Sequence, residues 1–176
     1  MENGNVLKNG NTCFVSHIIW NQQEIVIKRY NHMGVLHSLR HSLIKTRARR
    51  GWLHAQRLTM LRIPTPKPLA FIEHRKGFLI WNSYYVSEYA EGVSLYTFLN
   101  DDNIPAEQKC STKKNVENLL DKLGDFKITH GDLKHSNILI TKNGPLLTDL
   151  DAMQAHELNL TYNRKRAKDI KRFNRM

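Results

Sequence analysis

The chain has 176 residues, of which 40% are hydrophobic and 24% charged, and its 27 Lys and Arg outweigh 16 Asp and Glu to give a formal net charge of +11. That length supports one compact unit or two small lobes and excludes several independent domains, while the composition excludes a disordered or repetitive chain. No apolar run approaches the roughly 18 residues of a membrane-spanning helix, the start lacks a signal-sequence pattern, and Cys13 and Cys110 fit neither a disulfide framework nor a metal-ligand spacing; the expected location is the cytoplasm.

Cys13 to Trp20 is rich in β-branched and aromatic residues, Asn21-Gln22-Gln23 can turn, and Glu24-Ile25-Val26-Ile27-Lys28 makes a second strand that places Lys28 at its end, facing away from Ile27. A helix is expected over 38–61, with Leu39, Leu43, Trp52, Ala55 and Leu58 on its apolar face. Ile63-Pro64-Thr65-Pro66 ends it, because neither proline continues a helix. Strands are expected over 68–73 and 77–81, and Tyr84 to Gly92 reads as a strand leaving the sheet into a connector. Ser94 caps a short helix over 95–99; a polar interval over 100–111 leads to a second helix carrying Val116, Leu119, Leu120 and Leu123 at helical spacing. Near the C-terminus a basic helix is expected around 164–173, with Ile170 and Phe173 packing inward and Asp169 hydrogen-bonding the backbone of the loop described next.

That loop is the most informative segment: His130-Gly131-Asp132-Leu133-Lys134-His135-Ser136-Asn137, then Ile138-Leu139-Ile140, a turn at Lys142-Asn143-Gly144, and Leu146-Leu147-Thr148-Asp149-Leu150-Asp151. Phosphoryl transfer spreads negative charge over the moving group, so a protein must supply cations and hold two oxygens in line. In that scheme Asp132 accepts a hydrogen bond from the acceptor hydroxyl and Lys134 reaches toward the phosphoryl group. Asn137 and Asp149 hold Mg²⁺ through oxygen ligands, and the intervening hairpin returns Asp149 to the neighbourhood of Asn137. Lys28, which alone reads more readily as a solvated edge-strand residue, becomes with this loop the rigidly mounted cation for the α- and β-phosphates of ATP. Backbone groups near Glu88 and Ala90 become the pairing edge for adenine.

Lys28, the segment Ile63-Pro64-Thr65-Pro66-Lys67-Pro68-Leu69-Ala70, Ser87-Glu88-Tyr89, the loop over 130–137 and Asp149-Leu150-Asp151 together resemble the lipopolysaccharide core kinase family, over nearly the whole chain. The resemblance implies an α+β, two-lobed protein-kinase-like fold: a small antiparallel-sheet N-lobe over about 1–87, a hinge over about 88–92 and a reduced, mainly helical C-lobe over about 93–176. It also implies ATP and Mg²⁺ as cofactors, a Kdo or heptose hydroxyl of the lipopolysaccharide inner core as acceptor, and peripheral work on the cytoplasmic face of a bacterial inner membrane. The basic charge suits such a setting, since it attracts an anionic membrane and a lipid-linked anionic sugar. Two clusters carry it: one around Arg47, Arg49 and Arg50, the other from Arg164 to Arg175. Either is expected to face the substrate.

The chain also departs from the kinase pattern. The helix over 38–61 has no Asp or Glu to pair with Lys28, and Gln56 could only hydrogen-bond. A single glycine, Gly10, stands where protein kinases carry several, and Asp149-Leu150-Asp151 replaces Asp-Phe-Gly, with Asp151 either a second metal ligand or a helix cap. Little chain follows Asp149 that could bind a peptide, which argues against a protein substrate. Three alternatives therefore stay open: a small RIO-like kinase of RNA metabolism, a small-molecule kinase resembling aminoglycoside or choline phosphotransferases, and a non-catalytic pseudokinase binding an anionic partner. Nucleic acid is disfavoured as a partner but left open, as is the oligomeric state.

Overall fold

A computed structural model describes residues 5–31, 45–77 and 79–175, apart from the side chain of Lys8. The expected first turns of the helix over 38–61, including Leu39 and Leu43, lie outside the described residues. The chain divides into two compact units, Met1–Arg57 with Pro66–Tyr89, and Leu58–Thr65 with Ala90–Met176. Among the described residues no helix is long and apolar enough to cross a membrane.

The first unit is built on a five-stranded antiparallel sheet in the order β1-β2-β3-β5-β4, formed by β1 (Asn5–Asn9), β2 (Cys13–Trp20), β3 (Gln23–Tyr30), β4 (Pro68–Lys76) and β5 (Leu79–Glu88). Asn21 and Gln22, at φ 46° and 63°, make the two-residue turn between β2 and β3. Both lie in the left-handed region, which matches the twist of a tight hairpin. One face of the sheet carries Cys13 and Tyr30, buried with Ala48 of helix α1 (Arg47–Met60), and Val15, Phe71 and Tyr85 pack against them.

Two boundaries differ from expectation for local reasons. Lys45 and Thr46 are not helical, and α1 starts at Arg47 because Thr46 Oγ1 accepts from the Arg49 N–H at 3.1 Å, the geometry of an N-cap. Strand β5 runs unbroken from Leu79 to Glu88, where the sequence suggested a break before Tyr84. Its polar Ser83 is 6% exposed and sits between Tyr30 of β3 and Glu73 of β4, so flanking strands on both sides override its weak strand propensity.

The second unit begins where α1 ends. Arg62, at φ 55°, donates to Thr59 O, and Ile63 N–H donates to Leu58 O, which together make a Schellman termination. Leu58 and Ile63 are 1% and 2% exposed and supply its apolar contact. The Pro64 carbonyl then accepts from Leu147 N–H at 3.0 Å and Thr65 Oγ1 donates to Leu147 O at 2.9 Å. The Ile-Pro-Thr-Pro segment therefore stops a helix and ties the chain to the strand that precedes Asp149.

Strands β6 (Val93–Ser94), β8 (Ile138–Thr141) and β9 (Gly144–Leu147) form a three-stranded sheet, and β7 (Ile128–Thr129) pairs with β10 (Gln154–Ala155). Ser94 caps helix α2 (Leu95–Leu99), its hydroxyl accepting from Thr97 N–H at 3.0 Å. Helix α3 (Ala106–Asp125) buries Val116, Leu119, Leu120 and Leu123, as their spacing suggested. It begins before Ser111, inside the interval read as polar loop, because an exposed first turn with Glu107 near the helix N-terminus needs no apolar residue. Helix α4 (Asn159–Phe173) is longer than expected, and Ile170 on it is 37% exposed rather than packed inward.

Candidate active site

Strand β7 is fully buried and delivers His130 and Gly131 to the start of the loop. The peptide N–H groups there point away from any strand partner and require another acceptor. Asp169 of α4 provides it: Oδ2 accepts from His130 N–H at 2.7 Å, and both carboxylate oxygens lie 3.1 Å from Gly131 N. Asp169 is itself 5% exposed, so a buried charge is matched by backbone donors. Gly131 adopts φ 80°, and a Cβ on it would stand 2.4 Å from the Ala152 carbonyl oxygen. Only glycine fits that approach.

His130 ties the loop to the segment that carries Asp149. Its Nε2 lies 2.9 Å from Thr148 O, and a carbonyl only accepts, so Nε2 holds the proton. Burial pushes the imidazole below its ordinary range, opposed by the Thr148 bond and by the charges of Asp169, Asp149 and Asp132. His130 is therefore a neutral, structural histidine. Thr148 closes the same turn from the other side, its N–H and hydroxyl donating to Asn137 O at 2.9 and 3.1 Å.

Asp132, Lys134 and Asn137 come together. Asp132 Oδ2 pairs with Lys134 Nζ at 2.9 Å and accepts from Asn137 Nδ2 at 3.2 Å, and the same amide group donates to the Asp132 carbonyl at 2.9 Å. Asn137 is 6% exposed and sits in a 3-10 turn, His135–Asn137, which presents its side chain inward. A fourth residue completes the cluster: Arg172 of α4 donates from Nη1 to Asp132 Oδ1 at 3.2 Å and to Gly131 O at 2.6 Å. The sequence reading placed Arg172 only in a basic run. The signal for its position is helical spacing, since Asp169, Arg172 and Phe173 share one face of α4, and Phe173 meets the His135 ring edge-on at 4.6 Å.

Asp149 lies two residues past the end of β9, after Thr148, half-buried and at φ 60°, ψ 53°. A carboxylate residue tolerates this left-handed conformation better than most side chains. Asp151 is 6% exposed in the 3-10 turn Leu150–Ala152. Among the described residues no three His, Cys, Asp or Glu side chains gather into a metal site. Any ion held by Asn137 and Asp149 would take its remaining ligands from phosphate oxygens and water, the habit of Mg²⁺.

In the first unit, Lys28 lies mid-strand opposite Val15 and Tyr85, with its Nζ 5.4 Å from the centre of the Tyr30 ring. Strand β3 continues two residues past it, so Lys28 is not at the strand end. Burial holds the neighbouring Tyr85 phenol above its ordinary range. The Glu88 N–H is committed to Lys67 O at 2.9 Å, and its carboxylate pairs with Lys67 Nζ at 2.8 Å. The Glu73 carboxylate accepts from Thr46 Oγ1 at 2.9 Å. Ala90 opens the second unit, after Tyr89, whose ring stacks on His17 at 4.0 Å. Of the first basic cluster, Arg47 lies over the Tyr30 ring at 4.7 Å and Arg49 over Phe71 at 5.9 Å. Those two guanidinium groups are used on aromatic faces of their own unit.

An antiparallel sheet, a mainly helical second unit and a loop of this construction define a kinase of the protein-kinase-like class. Residues 5–176 match the model of the lipopolysaccharide kinase (Kdo/WaaP) family, and the chain belongs to that family. Among solved structures it is similar to one described as WaaP in complex with acyl carrier protein, with a TM-score of 0.71 and 17% identity over 98% of this chain and 70% of that one. At that identity the likeness is one of fold. No curated protein matches it by sequence.

Proposed function

We propose that this lipopolysaccharide kinase transfers the γ-phosphoryl group of ATP to a hydroxyl of a Kdo or heptose residue in the inner core of a lipid-linked acceptor. The observation that carries the reading is the cluster of Asp132, Lys134 and Asn137, which gathers within about 3 Å a carboxylate, a cation and an amide. Asp132 would accept the hydrogen bond of the acceptor hydroxyl and aim its oxygen at phosphorus. Lys134, on a flexible stem, would leave Asp132 to follow the charge that develops on the transferred group. Because catalysis of this transfer is mostly positioning and charge compensation, these two roles account for the chemistry asked of the loop.

The donor set fits Mg²⁺. Asn137 spends its amide N–H groups on Asp132, which leaves its carbonyl oxygen as a ligand beside the Asp149 carboxylate. Held there, a divalent ion would supply charge neutralisation for the phosphates of the nucleotide. Lys28 would hold the α- and β-phosphates. With its N–H engaged by Lys67, Glu88 would offer adenine its carbonyl on the same strand edge, and Ala90 would offer its N–H.

The outward side of α4 supports peripheral contact with an anionic membrane on its cytoplasmic side. Arg164, Lys165, Lys168 and Lys171 are exposed there, and the helix's single carboxylate, Asp169, is buried. Juxtaposed basic residues each add about 1 kcal/mol of attraction at such a surface. The test of the whole reading is incubation with ATP, Mg²⁺ and a panel of Kdo- and heptose-bearing lipid acceptors, with any new phosphate located by mass spectrometry. Transfer to a protein or an RNA-modification partner, with none to any glycolipid, would overturn it.

A further inference from the structure

We propose that Arg172 is a positioning residue for Asp132, the cation that keeps this carboxylate in place from the C-terminal helix while Lys134 turns to the phosphoryl group. The inference rests on the reading of Asp132 as the group that orients the acceptor hydroxyl.

An ionised carboxylate offers about four acceptor positions. Three on Asp132 are filled: Oδ2 by Lys134 Nζ at 2.9 Å and Asn137 Nδ2 at 3.2 Å, and Oδ1 by Arg172 Nη1 at 3.2 Å. The three donors are not equivalent. Lys134 is a point charge on a four-carbon stem, and a cation serving the moving phosphate leaves Oδ2 when it does so. Asn137 is neutral. Arg172 is charged and has a second anchor, because the same Nη1 donates to Gly131 O at 2.6 Å. One turn earlier on the helix, Asp169 accepts from the N–H groups of His130 and Gly131. One face of α4 therefore holds both the N–H and the C=O of Gly131 and the side chain that follows it.

The two Asp132 oxygens thereby acquire different tasks. Oδ1 is tied to a guanidinium nitrogen that is itself anchored on Gly131 O, and Oδ2 becomes the oxygen that receives the acceptor hydroxyl once Lys134 moves. The Arg172 side chain is 48% exposed, so its pairing is a weak stabiliser of the fold. Its consequence lies in geometry, where small displacements of a reacting group cost large factors in rate.

The test uses the full chain with Arg172→Ala, Arg172→Lys and Asp132→Asn, and ATP, Mg²⁺ and a Kdo-bearing lipid as substrates. Arg172→Ala is expected to lower kcat roughly ten- to a hundredfold, the size of one charge-assisted hydrogen bond, with the KM for ATP unchanged. Arg172→Lys should fall between, since its ammonium keeps the charge on a shorter side chain that reaches Asp132 Oδ1 and Gly131 O less well. Guanidinium ion, well below denaturing concentration, should restore part of the Arg172→Ala rate, a response that a merely structural defect would not give. On the Asp132→Asn background the arginine change should add no further loss. A kcat close to that of the parent, an undiminished loss on that background, or no response to guanidinium would overturn the inference. Urea unfolding of the parent, the two single variants and the double variant is a check that needs no acceptor. Non-additive losses are expected, and additive losses would overturn the pairing whatever the enzyme phosphorylates. A parent inactive on every glycolipid but showing non-additive unfolding would instead count against the proposed acceptor.

Discussion

Replacing Asp169 with alanine removes the acceptor for two buried backbone donors at the start of the loop, and its cost can be worked from the geometry. His130 N–H and Gly131 N–H lie 2.7 to 3.1 Å from the carboxylate oxygens, and the residue is 5% exposed, so water does not replace the lost partner without opening the loop. Each stranded donor costs about 1–3 kcal/mol, which gives roughly 2–6 kcal/mol for Asp169→Ala. In a chain of this length 1 kcal/mol corresponds to about 2–4 °C in Tm, so a fall on the order of 10 °C is expected. Asp169→Asn keeps one acceptor oxygen and should lose less. Lys168→Ala, one residue away and exposed, should stay within about 0.5 kcal/mol of the parent. Urea unfolding followed by far-ultraviolet circular dichroism measures all three. A loss under about 1 kcal/mol for Asp169→Ala, or the same loss for Lys168→Ala, would refute the claim that α4 holds the loop by its backbone.

The buried, neutral His130 gives a pH dependence of known sign. Its native pKa lies below the ordinary 6.5, so between the two values the unfolded chain binds a proton that the native chain does not, and stability falls as pH drops below about 6.5. The slope from this one group reaches about 1.4 kcal/mol per pH unit. The urea midpoint of the parent should therefore fall more steeply between neutral and mildly acid pH than that of His130→Gln, and parallel slopes would contradict it. Gly131→Ala places a Cβ 2.4 Å from a backbone oxygen at φ 80°; a destabilisation of about 2 kcal/mol or more is expected in the same unfolding assay, and a neutral result would mean that the loop relaxes freely.

Much of the candidate site was legible because its chemistry is local. The residues over 130–137 and the hairpin that returns Asp149 are contiguous in sequence, so spacing alone places them on adjoining turns and strands. Asp169 was assigned at longer range to the backbone of that loop, and its carboxylate does accept from the His130 and Gly131 N–H groups. Arg172 was not, because a basic residue among six others carries no mark of which one turns inward; only the phase of the helix, set by Asp169, reveals it. The same phase explains Ile170, whose apolar side chain suggested burial but which stands about 100° around the helix from Asp169. Thr46 hid the start of α1 because its cap is completed by Glu73 from a distant strand rather than by a glutamate three residues on. Ser83 hid the continuity of β5, since a polar residue enters a central strand only when both neighbours pair with it.

The most direct test of the account compares the parent chain with Asp132→Ala in two readings of one sample: Mg²⁺-dependent ATP binding, followed by thermal shift, and ATP-dependent phosphate transfer to a Kdo-bearing lipid, followed by mass spectrometry. A carboxylate that orients the acceptor and does not hold the nucleotide predicts that Asp132→Ala binds ATP as the parent does and loses transfer. Retained transfer in Asp132→Ala, or a parent that binds no ATP in the presence of Mg²⁺, would contradict the assignment of this loop to phosphoryl transfer.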